Sequence, residues 1–412
     1  MRRCYLIVAV VAGFLLMGCF PEENPIHLNT YLTVQTTAGD ASQYYKGLTM
    51  EMGLSGSTQA ISTAMVDENG KAHFSIAANA VTGKNVWFCV PKMVKFFHTL
   101  TAEEVAGNAL TLPDKDKGST VDASGLKNDW IVALYMGVNK DGKAGSAPLY
   151  WATGNLIAVK TSGAGEASEV AYHVGSAEET EEEGCPDNSL VGIDKRLVAN
   201  VPDGYVNMPA GSRWNMYAFG DATGLMLYDS GKLGVYCIES GQMTKDRTNI
   251  CYNISGDARF DAARAQLGGL WRLPTCGKTG LNEFAAFEDD CEEYAGLLPN
   301  GQTYGTESVS FGMEYSYSVS INGKDISVNT LKLPAAGFRH GASSYSGIGK
   351  YSLYWSGTAD PTGTPPYTPD GSMSGTTMPA FYTAFNYGYM EGQKSWLPHP
   401  RSSLQALRPV TE

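Results

Sequence analysis

Short runs of alternating apolar and polar residues dominate the first third of the chain, and turn residues separate them. The runs are residues 28–35 (LNTYLTVQ), 47–53 (GLTMEMG), 86–90 (VWFCV) and 129–136 (DWIVALYM). Alternation with a period of two predicts strands, and a short continuously apolar run predicts a buried strand. A short helix is predicted around Thr101–Val105. Strands at this spacing predict an antiparallel β-sandwich of about 110 residues.

One of these turns carries a hairpin signal. Asp67-Glu68-Asn69-Gly70 lies between two β-compatible arms, and an Asn-Gly pair supplies the positive φ values that a tight hairpin turn requires. We therefore expect residues 64–66 to pair with residues 72–76. A second turn is predicted at residues 139–142 (NKDG).

Helical periodicity is found in two segments of the later chain. Residues 257–268 place Phe260, Ala263 and Leu267 on one face, with Asp257 near the start and glycines at the end, which predicts a capped helix. From Leu281 to Tyr294, apolar residues recur every three or four positions, which predicts a second amphipathic helix ending at Gly296. Hairpin-rich sequence follows, so this part is predicted to be α+β with long loops.

The N-terminus has the pattern of an export signal. Arg2 and Arg3 precede an apolar run over residues 5–17, which is too short to span a bilayer. The sequence Leu16-Met17-Gly18-Cys19 resembles the lipobox of bacterial lipoproteins, which implies cleavage after residue 18 and acylation of Cys19. An acidic tether over residues 19–27 resembles the surface-export signal of lipoproteins in Bacteroidota, which implies lipid anchoring to the outer membrane, facing the cell exterior. An ordinary secretory signal is the alternative.

Cysteine content permits disulfides in such an exported protein. Besides Cys4 in the signal and Cys19, the sequence contains Cys89, Cys185, Cys237, Cys251, Cys276 and Cys291. Six cysteines allow 15 full pairings, and buried free thiols are an alternative for some. The first candidate pair is Cys276 with Cys291, since its short loop would gain up to about 3 kcal/mol. The second is Cys237 with Cys251.

The net charge of the chain excludes one class of binding partner. The formal net charge is −12, and removal of the signal with its two arginines makes it −14. A nucleic-acid surface needs clustered Lys and Arg, so nucleic acid is not an expected partner, whereas glycans and surface proteins remain open. No zinc-type cysteine spacing occurs and the histidines are isolated from one another. No metal and no cofactor are predicted.

Two stretches resemble known families. Residues 47–142, with the sequences GKAHF (70–74) and LTLP (110–113), resemble the N-terminal part of the fimbrillin family of Bacteroidota. Six later blocks resemble the Fibrobacter succinogenes major paralogous domain, which shares its fold with C-type lectin-like domains and the formylglycine-generating enzyme. These blocks are WATGNL (151–156), FGDATG (219–224), WRLPT (271–275), LPAAGFR (333–339), YWSGT (354–358) and LRPV (407–410).

The lectin-like resemblance implies that long loops form a binding surface. The stretch from Gly357 to Pro379 is rich in Gly, Pro, Ser and Thr, and aromatic residues can stack on sugars or anchor a protein interface. The candidate ligand-binding residues on or beside it are Tyr367, Tyr387, Tyr389 and Trp396. Phe381 and Phe385 are interpreted as core residues on one strand face.

Catalytic patterns do not emerge. The formylglycine-generating enzyme works through cysteines, and none follows Cys291; Met373 stands where a G-x-S-x-G elbow needs its serine. Paired carboxylates at 289–290 and 292–293 are interpreted as a solvated helix face, and residues 178–183 as a mobile acidic loop. Asp114, Asp116 and Asp221 are weak calcium candidates, and the lectin calcium motifs are absent.

The sequence therefore predicts four parts: a lipoprotein signal (1–18), the tether (19–27), a fimbrillin-like β-sandwich (28–145) and a lectin-like α+β domain (146–412). The expected function is non-enzymatic adhesion or ligand recognition at the cell surface, as a fimbria-associated accessory subunit. One alternative is a structural stalk or assembly component that binds only neighbouring subunits. Another is a cryptic hydrolase of surface glycans.

Overall fold

The fold was taken from a computed structural model, which describes a defined set of residues. These are 29–36, 42–163, 169–176, 179, 197–198, 209–217, 219–223, 253–276, 283–284, 291–295, 310–334, 338–340, 345–346, 351–359, 379–386, 394–400 and 403–412. The protein is mostly β over this part, with several antiparallel sheets and few helices. The predicted β-rich mixed fold is confirmed at this level.

The elements are numbered in chain order. The strands are β1 (Asn29–Gln35), β2 (Thr49–Leu54), β3 (Ala60–Met65), β4 (Lys71–Ala77), β5 (Asn85–Val90), β6 (Val94–Thr99), β7 (Ala109–Thr111), β8 (Thr120–Val121), β9 (Asn128–Asn139), β10 (Pro148–Ala152), β11 (Leu156–Lys160), β12 (Val170–Val174), β13 (Leu197–Val198), β14 (Arg213–Trp214), β15 (Met216–Tyr217), β16 (Cys291–Ala295), β17 (Ser310–Ile321), β18 (Lys324–Pro334), β19 (Phe338–His340), β20 (Tyr345–Ser346), β21 (Tyr351–Ala359), β22 (Pro379–Asn386), β23 (Lys394–Pro400), β24 (Ser403–Ala406) and β25 (Val410–Thr411). The helices are α1 (Ser42–Tyr45), α2 (Ala78–Val81), α3 (Ala102–Gly107) and α4 (Ala262–Leu267).

Two sheets bury one apolar layer in the first part of the chain. A three-stranded sheet has the order β4-β1-β7, and an eight-stranded sheet has the order β25-β10-β9-β6-β5-β2-β3 with β8 beside β9. Buried side chains of the small sheet, such as Leu32 and Phe74, belong to the same cluster as Phe88 and Val132 of the large sheet. The strand predictions over residues 28–35, 47–53, 86–90 and 129–136 are confirmed by β1, β2, β5 and β9.

The large sheet continues across the predicted domain boundary at residue 145. Tyr150 of β10 pairs with Tyr135 of β9, and Trp151 pairs with Val410 of β25. The boundary therefore falls between two paired strands, and the last strand of the chain completes the same sheet. The division into residues 28–145 and 146–412 stays a prediction.

The hairpin predicted at residues 67–70 is wrong, although the turn forms. Strand β3 pairs with β2, and β4 pairs with β1 in the other sheet. Asp67 accepts hydrogen bonds from the backbone of Asn69 and Lys71, but of the Asn-Gly pair only Gly70 has positive φ. A two-residue type I′ hairpin needs positive φ at both positions, so the chain passes from one sheet to the other.

That hairpin geometry occurs instead between β17 and β18. Asn322 and Gly323 both have positive φ, at 54° and 75°, and Ile321 pairs with Lys324 across the turn. The long hairpin packs against the large sheet, where the side-chain amide of Asn329 donates to the carbonyl oxygens of Met93 and Tyr135. It thereby joins the later chain to the first sheet.

The helix predictions have mixed outcomes. Helix α3 follows the prediction, because Thr101 and Glu104 form a capping box at its start. Helix α4 is shorter than predicted: Asp261, not Asp257, caps its start, and it ends at Leu267 with Gly268 as the C-cap. The helix predicted to end at Gly296 is wrong over Cys291–Ala295, which form strand β16 paired with β17. Glu292 and Glu293 lie in this strand.

Candidate functional site

Three of the four predicted ligand-binding residues, Tyr367, Tyr387 and Tyr389, lie outside the described residues. Trp396 lies in the middle of β23, where it pairs with Thr383 of β22. Phe381 and Phe385 lie in β22, so the predicted strand is confirmed, and their assignment to the core stays a prediction.

Strand pairing fixes the positions from which these segments leave the sheet. Ala359, at the end of β21, pairs with Ala380 near the start of β22, so residues 360–378 connect two adjacent strand ends. Residues 387–393 connect Asn386 to Lys394 at the other end of β22. Eight residues of strand span about 23 Å at 3.3 Å per residue. The connections that carry Tyr367 and the Tyr387/Tyr389 pair therefore leave from opposite ends of β22.

The end of β21 that leads into residues 360–378 is hydrogen-bonded to residues 254–276 of the same chain. Gly357 donates its N–H to the carbonyl of Pro274 and accepts from Ile254, both at 2.8 Å. A Cβ on Gly357 would lie 2.7 Å from the Cβ of Ser255, so only glycine fits this approach. The hydroxyl of Thr358 accepts from the backbone of Cys276 at 3.1 Å. These hydrogen bonds fix the backbone from which residues 360–378, the candidate ligand-binding connection, begin.

Arg408, which lies between β24 and β25, is the centre of a hydrogen-bond network that connects four of the sequence blocks. Its fully buried guanidinium donates to the Asn155 side chain at 2.8 Å, to the Ala152 carbonyl at 3.0 Å and to the Lys332 carbonyl at 2.8 Å. Asn155 donates in turn to the hydroxyl of Tyr354, which donates to the carbonyl of Pro334. Residues of the WATGNL, LPAAGFR, YWSGT and LRPV blocks are therefore joined in one buried polar network.

Another buried pair fixes the WRLPT block. Arg272 donates to both carboxylate oxygens of Glu283, at 2.8 and 2.6 Å. Glu283 also accepts from the backbone of Thr275 and of Asp141, each at 2.9 Å. Burial raises the pKa of Glu283, but its hydrogen bonds and the charge of Arg272 outweigh burial, so the pKa lies below its ordinary value. The ion pair joins this block to the turn between β9 and β10.

Asp261 performs a similar task at helix α4. Its buried carboxylate accepts from the backbone of Arg264, Gly256 and Leu273 at 2.7–3.1 Å. Burial is the largest influence and raises the pKa of Asp261. A carboxylate that accepts three backbone N–H groups caps the helix and holds the adjoining segments, so its role is structural.

Glu179 corrects the prediction of a mobile acidic loop at its position. Its buried carboxylate lies 3.0 Å from His173 Nε2 and 2.5 Å from an Arg213 nitrogen. It also accepts from the backbone of Ser176 at 2.9 Å. Burial raises its pKa, but the bonds and charges of His173, Ser176 and Arg213 outweigh burial and lower the pKa to about 2. The other residues of 178–183 lie outside the described residues.

A buried lysine surrounded by aromatic rings lies on the face of the large sheet opposite the small sheet, and no local sequence pattern predicts it. Lys95 is 4% exposed, and its ammonium lies 4.2 Å from the ring centroid of Trp87 and within 6 Å of those of Phe97 and Tyr150. It donates to the main-chain oxygen of Glu412 at 2.6 Å. Burial lowers the pKa of Lys95. Cation–π contacts of this kind stabilise packing, here among β5, β6 and β10, and the hydrogen bond joins Lys95 to Glu412.

Cys89 lies beside this lysine and is a free buried thiol. It is the cross-strand partner of Lys95 and bonds to the hydroxyl of Tyr150 at 3.3 Å. Burial raises the pKa of Cys89 to about 11, although Lys95 acts in the opposite direction. A thiol that stays protonated at neutral pH is a poor nucleophile. The residue packs rather than reacts.

The predicted disulfides stay predictions. Cys276 is buried, and Cys291 lies in β16, where its side chain is outside the description. Cys237 and Cys251 lie outside the described residues, as do the signal (1–18), Cys19 and the tether.

The candidate calcium residues have local partners. Asp114 caps a short 3₁₀ helix, Asp116 pairs with Lys115, and Asp221 accepts from Thr223. Within the described part of the chain, no group of three or more His, Cys, Asp or Glu side chains is arranged to hold a metal ion. No helix among the described residues is long and apolar enough to cross a membrane.

Comparison with family models, with curated proteins and with solved structures finds no match to this chain. The resemblances to the fimbrillin family and to the lectin-like domain therefore stay predictions. The geometry of the described residues is the basis for the functional proposal.

Proposed function

We propose that this chain is a non-enzymatic lipoprotein of the outer membrane that recognises a glycan or protein ligand at the cell surface. The observation that carries the proposal is the fixed root of residues 360–378. Gly357 and Thr358 are bonded to residues 254–276, and Ala359 pairs with Ala380. A long connection on a rigid scaffold is the usual arrangement for a binding loop.

The buried charges favour a scaffold role over catalysis. Arg272, Glu283 and Asp261 are bonded to one another or to backbone groups, and the raised pKa of Cys89 leaves its thiol protonated. Perturbed groups of this kind also occur in structural ion-pair networks. Hydrolysis of surface glycans remains a test outcome: turnover on a polysaccharide panel would contradict the proposal.

The anchor is tested separately from binding. Cys19 stands at the acylated position of the lipobox-like sequence, and two or three acyl chains hold a protein stably on a membrane. Expression in a bacterium that processes lipoproteins should place the parent chain in the membrane fraction with incorporated radiolabelled palmitate. The Cys19→Ala variant should lose the label. Equal labelling of parent and variant would contradict the assignment.

Ligand recognition is tested with the full chain on glycan and protein arrays. A fragment of residues 146–412 is unsuitable, because β10 and β25 belong to the sheet that contains β9. We expect retention of at least one ligand class. If the chain instead polymerises or copurifies only with surface subunits, it serves as the structural stalk or assembly component, without an external ligand.

A further inference from the structure

His98 lies near the end of strand β6, and its ring contacts both strand β9 and helix α3. The ring is 8% exposed and stacks on Trp130 of β9, with the ring centroids 4.3 Å apart. Its Nδ1 lies 2.7 Å from the carbonyl oxygen of Asp129, and its Nε2 lies 2.9 and 3.0 Å from the two carboxylate oxygens of Glu104. Both ring nitrogens therefore face an acceptor.

This arrangement determines how many protons the ring carries. A carbonyl oxygen only accepts hydrogen bonds, so Nδ1 donates, and an ionised carboxylate also only accepts, so Nε2 donates as well. Burial raises the pKa of Glu104, but the hydrogen bonds from Thr101 and His98 outweigh burial and hold the pKa below its ordinary value. Glu104 is thus ionised at neutral pH. With both nitrogens donating, the ring of His98 in this arrangement is a positively charged imidazolium.

The groups around the ring favour the charged form. The carboxylate of Glu104 comes from α3, and the carboxylate of Asp129 on β9 lies 3.8 Å from Nδ1. On β5 the cross-strand neighbour is Val86, which is uncharged. The stacked indole of Trp130 adds an attraction for a cation. A neutral ring carries a single proton and can donate either to Glu104 or to Asp129, but not to both.

The bonded groups lie where the chain crosses from the large sheet to the small sheet. Helix α3 follows β6 of the large sheet and leads through Asn108 into β7, which pairs with β1 of the small sheet. Glu104 also accepts from the backbone of Thr101 in the capping box of α3. Val105 of α3 and Leu110 of β7 are buried in the apolar layer between the sheets. Loss of the bond to Glu104 therefore loosens the segment that covers this layer.

We propose that His98 is a pH-dependent latch that fastens helix α3 and strand β7 to the large sheet. In its charged form the ring bonds to Glu104 and Asp129 together, and the crossing is closed. When the pH rises and one ring proton leaves, one of the two bonds is lost, and α3 and β7 open more often. Histidine is the side chain that ordinarily changes charge between pH 5 and 8, which sets the range for a test.

A second buried histidine, His173, has a different arrangement. Its Nε2 lies 3.0 Å from Glu179, but within the described part of the chain its Nδ1 has no hydrogen-bond partner. One proton on the ring is enough for that contact. The geometry therefore assigns the latch to His98 and not to His173.

Nuclear magnetic resonance of the full chain, labelled with ¹⁵N in its histidine rings, tests the charge of His98. Comparison with the His98→Gln variant assigns the signals. We expect both ring nitrogens of His98 to carry protons at pH 5.5 and only one nitrogen to carry a proton at pH 8.5. A single protonated nitrogen at pH 5.5, or two at pH 8.5, would overturn the proposal.

Hydrogen exchange of the backbone amides over residues 104–111 tests the opening. After correction for the intrinsic exchange rate, protection in the parent chain should fall at least tenfold from pH 5.5 to pH 8.5. His98→Gln removes the ring, and Glu104→Gln keeps an acceptor for the capping box but removes the charge, so both variants should change by less than about threefold. His73→Gln changes an exposed histidine and is the matched control, which should behave like the parent.

Two results of the exchange experiment would overturn the latch. One is protection in the parent that stays within about threefold across this pH range. The other is a fall in His98→Gln or Glu104→Gln as large as that of the parent. Because the ring charge and the opening are both measured on the parent, the proposal is tested even if a variant does not fold.

Discussion

Replacing Glu283 by glutamine removes one half of a buried ion pair. The carboxylate is fully buried and Arg272 is 6% exposed. Breaking a buried pair by changing one partner costs about 3–5 kcal/mol, because the other charge stays buried. Here the carboxylate of Glu412 lies 3.5 Å from Arg272 Nε and still compensates part of that charge, which places the loss near the lower value, about 3 kcal/mol. We therefore expect Glu283→Gln to lower the free energy of unfolding by that amount, which is a large share of the total stability of a typical domain.

Urea unfolding of the full chain at pH 7, followed by tryptophan fluorescence, measures this loss. Trp271, next to Arg272, is fully buried and is one of seven tryptophans, so the emission follows unfolding of the chain as a whole. Arg272→Met and the double variant complete a double-mutant cycle. We expect the double variant to lose less stability than the two single variants together, since residues in direct contact couple by about 0.5–3 kcal/mol.

The pH dependence has a defined sign. The folded-state pKa of Glu283 is lowered, so its contribution is full above the ordinary glutamate pKa of about 4.3. It is lost as the pH falls through the folded value. The gap between parent and Glu283→Gln should be widest near neutral pH and close in acid. A variant within about 0.5 kcal/mol of the parent at pH 7 would show that the ion pair does not stabilise the fold, since that is the range of a surface substitution.

Three further predictions concern other described residues. Arg408→Met should destabilise the chain by at least about 3 kcal/mol, since three buried acceptors lose their donor at about 1–3 kcal/mol each. The control, Arg259→Met at an exposed position, should change stability by less than about 0.5 kcal/mol. Equal shifts of the two variants in thermal unfolding would contradict a stabilising role of the Arg408 network. Gly53→Ala should lower the free energy of unfolding by about 1–3 kcal/mol, because its Cβ would lie 2.2 Å from a ring atom of Trp87. The control is Gly56→Ala, whose Cβ meets nothing within 4 Å. Equal denaturant midpoints for the two variants would contradict this prediction. The pKa of Glu179 is lowered to about 2, so the difference in stability between the parent and Glu179→Gln should persist at pH 4 and disappear only as the pH approaches 2. In an acid titration, a difference that disappears by pH 4 would show that the carboxylate is unpaired.

Local pattern predicted the elements whose determinants are local. The alternation of β1 and β2 and the Thr101–Glu104 capping box are each contained in a few residues, and the structure contains all three. The sequence predicts a helix over Cys291–Ala295, which is wrong, because an apolar spacing of three residues over five positions does not separate helix from strand. Pairing with β17 decides it, and that strand lies further along the chain.

The buried hydrogen bonds and ion pairs around the candidate site could not be predicted from the sequence, which shows only the separate blocks that they join. Arg408 and Asn155 are 253 positions apart. Glu179 and Arg213 are 34 positions apart. No local spacing in the sequence predicts either contact. The aromatic walls of Lys95 come from the register of β5, β6 and β10, which the sequence does not state. The strand pairing that separates the connections carrying Tyr367 and Tyr387 is likewise a property of the sheet.

Residues 360–378 are the central element of the proposed recognition function, and paired tyrosine variants test it most directly. Tyr367 lies in this connection, whereas Tyr387 lies in the connection that leaves the opposite end of β22. The measurement is the binding of the full chain, as parent, Tyr367→Ala and Tyr387→Ala, to the glycans and proteins that retain the parent on the arrays. If residues 360–378 form the recognition surface, Tyr367→Ala loses at least tenfold in affinity at unchanged thermal stability, and Tyr387→Ala loses less. Retention of no ligand by the parent, or equal binding by parent and Tyr367→Ala, would contradict it.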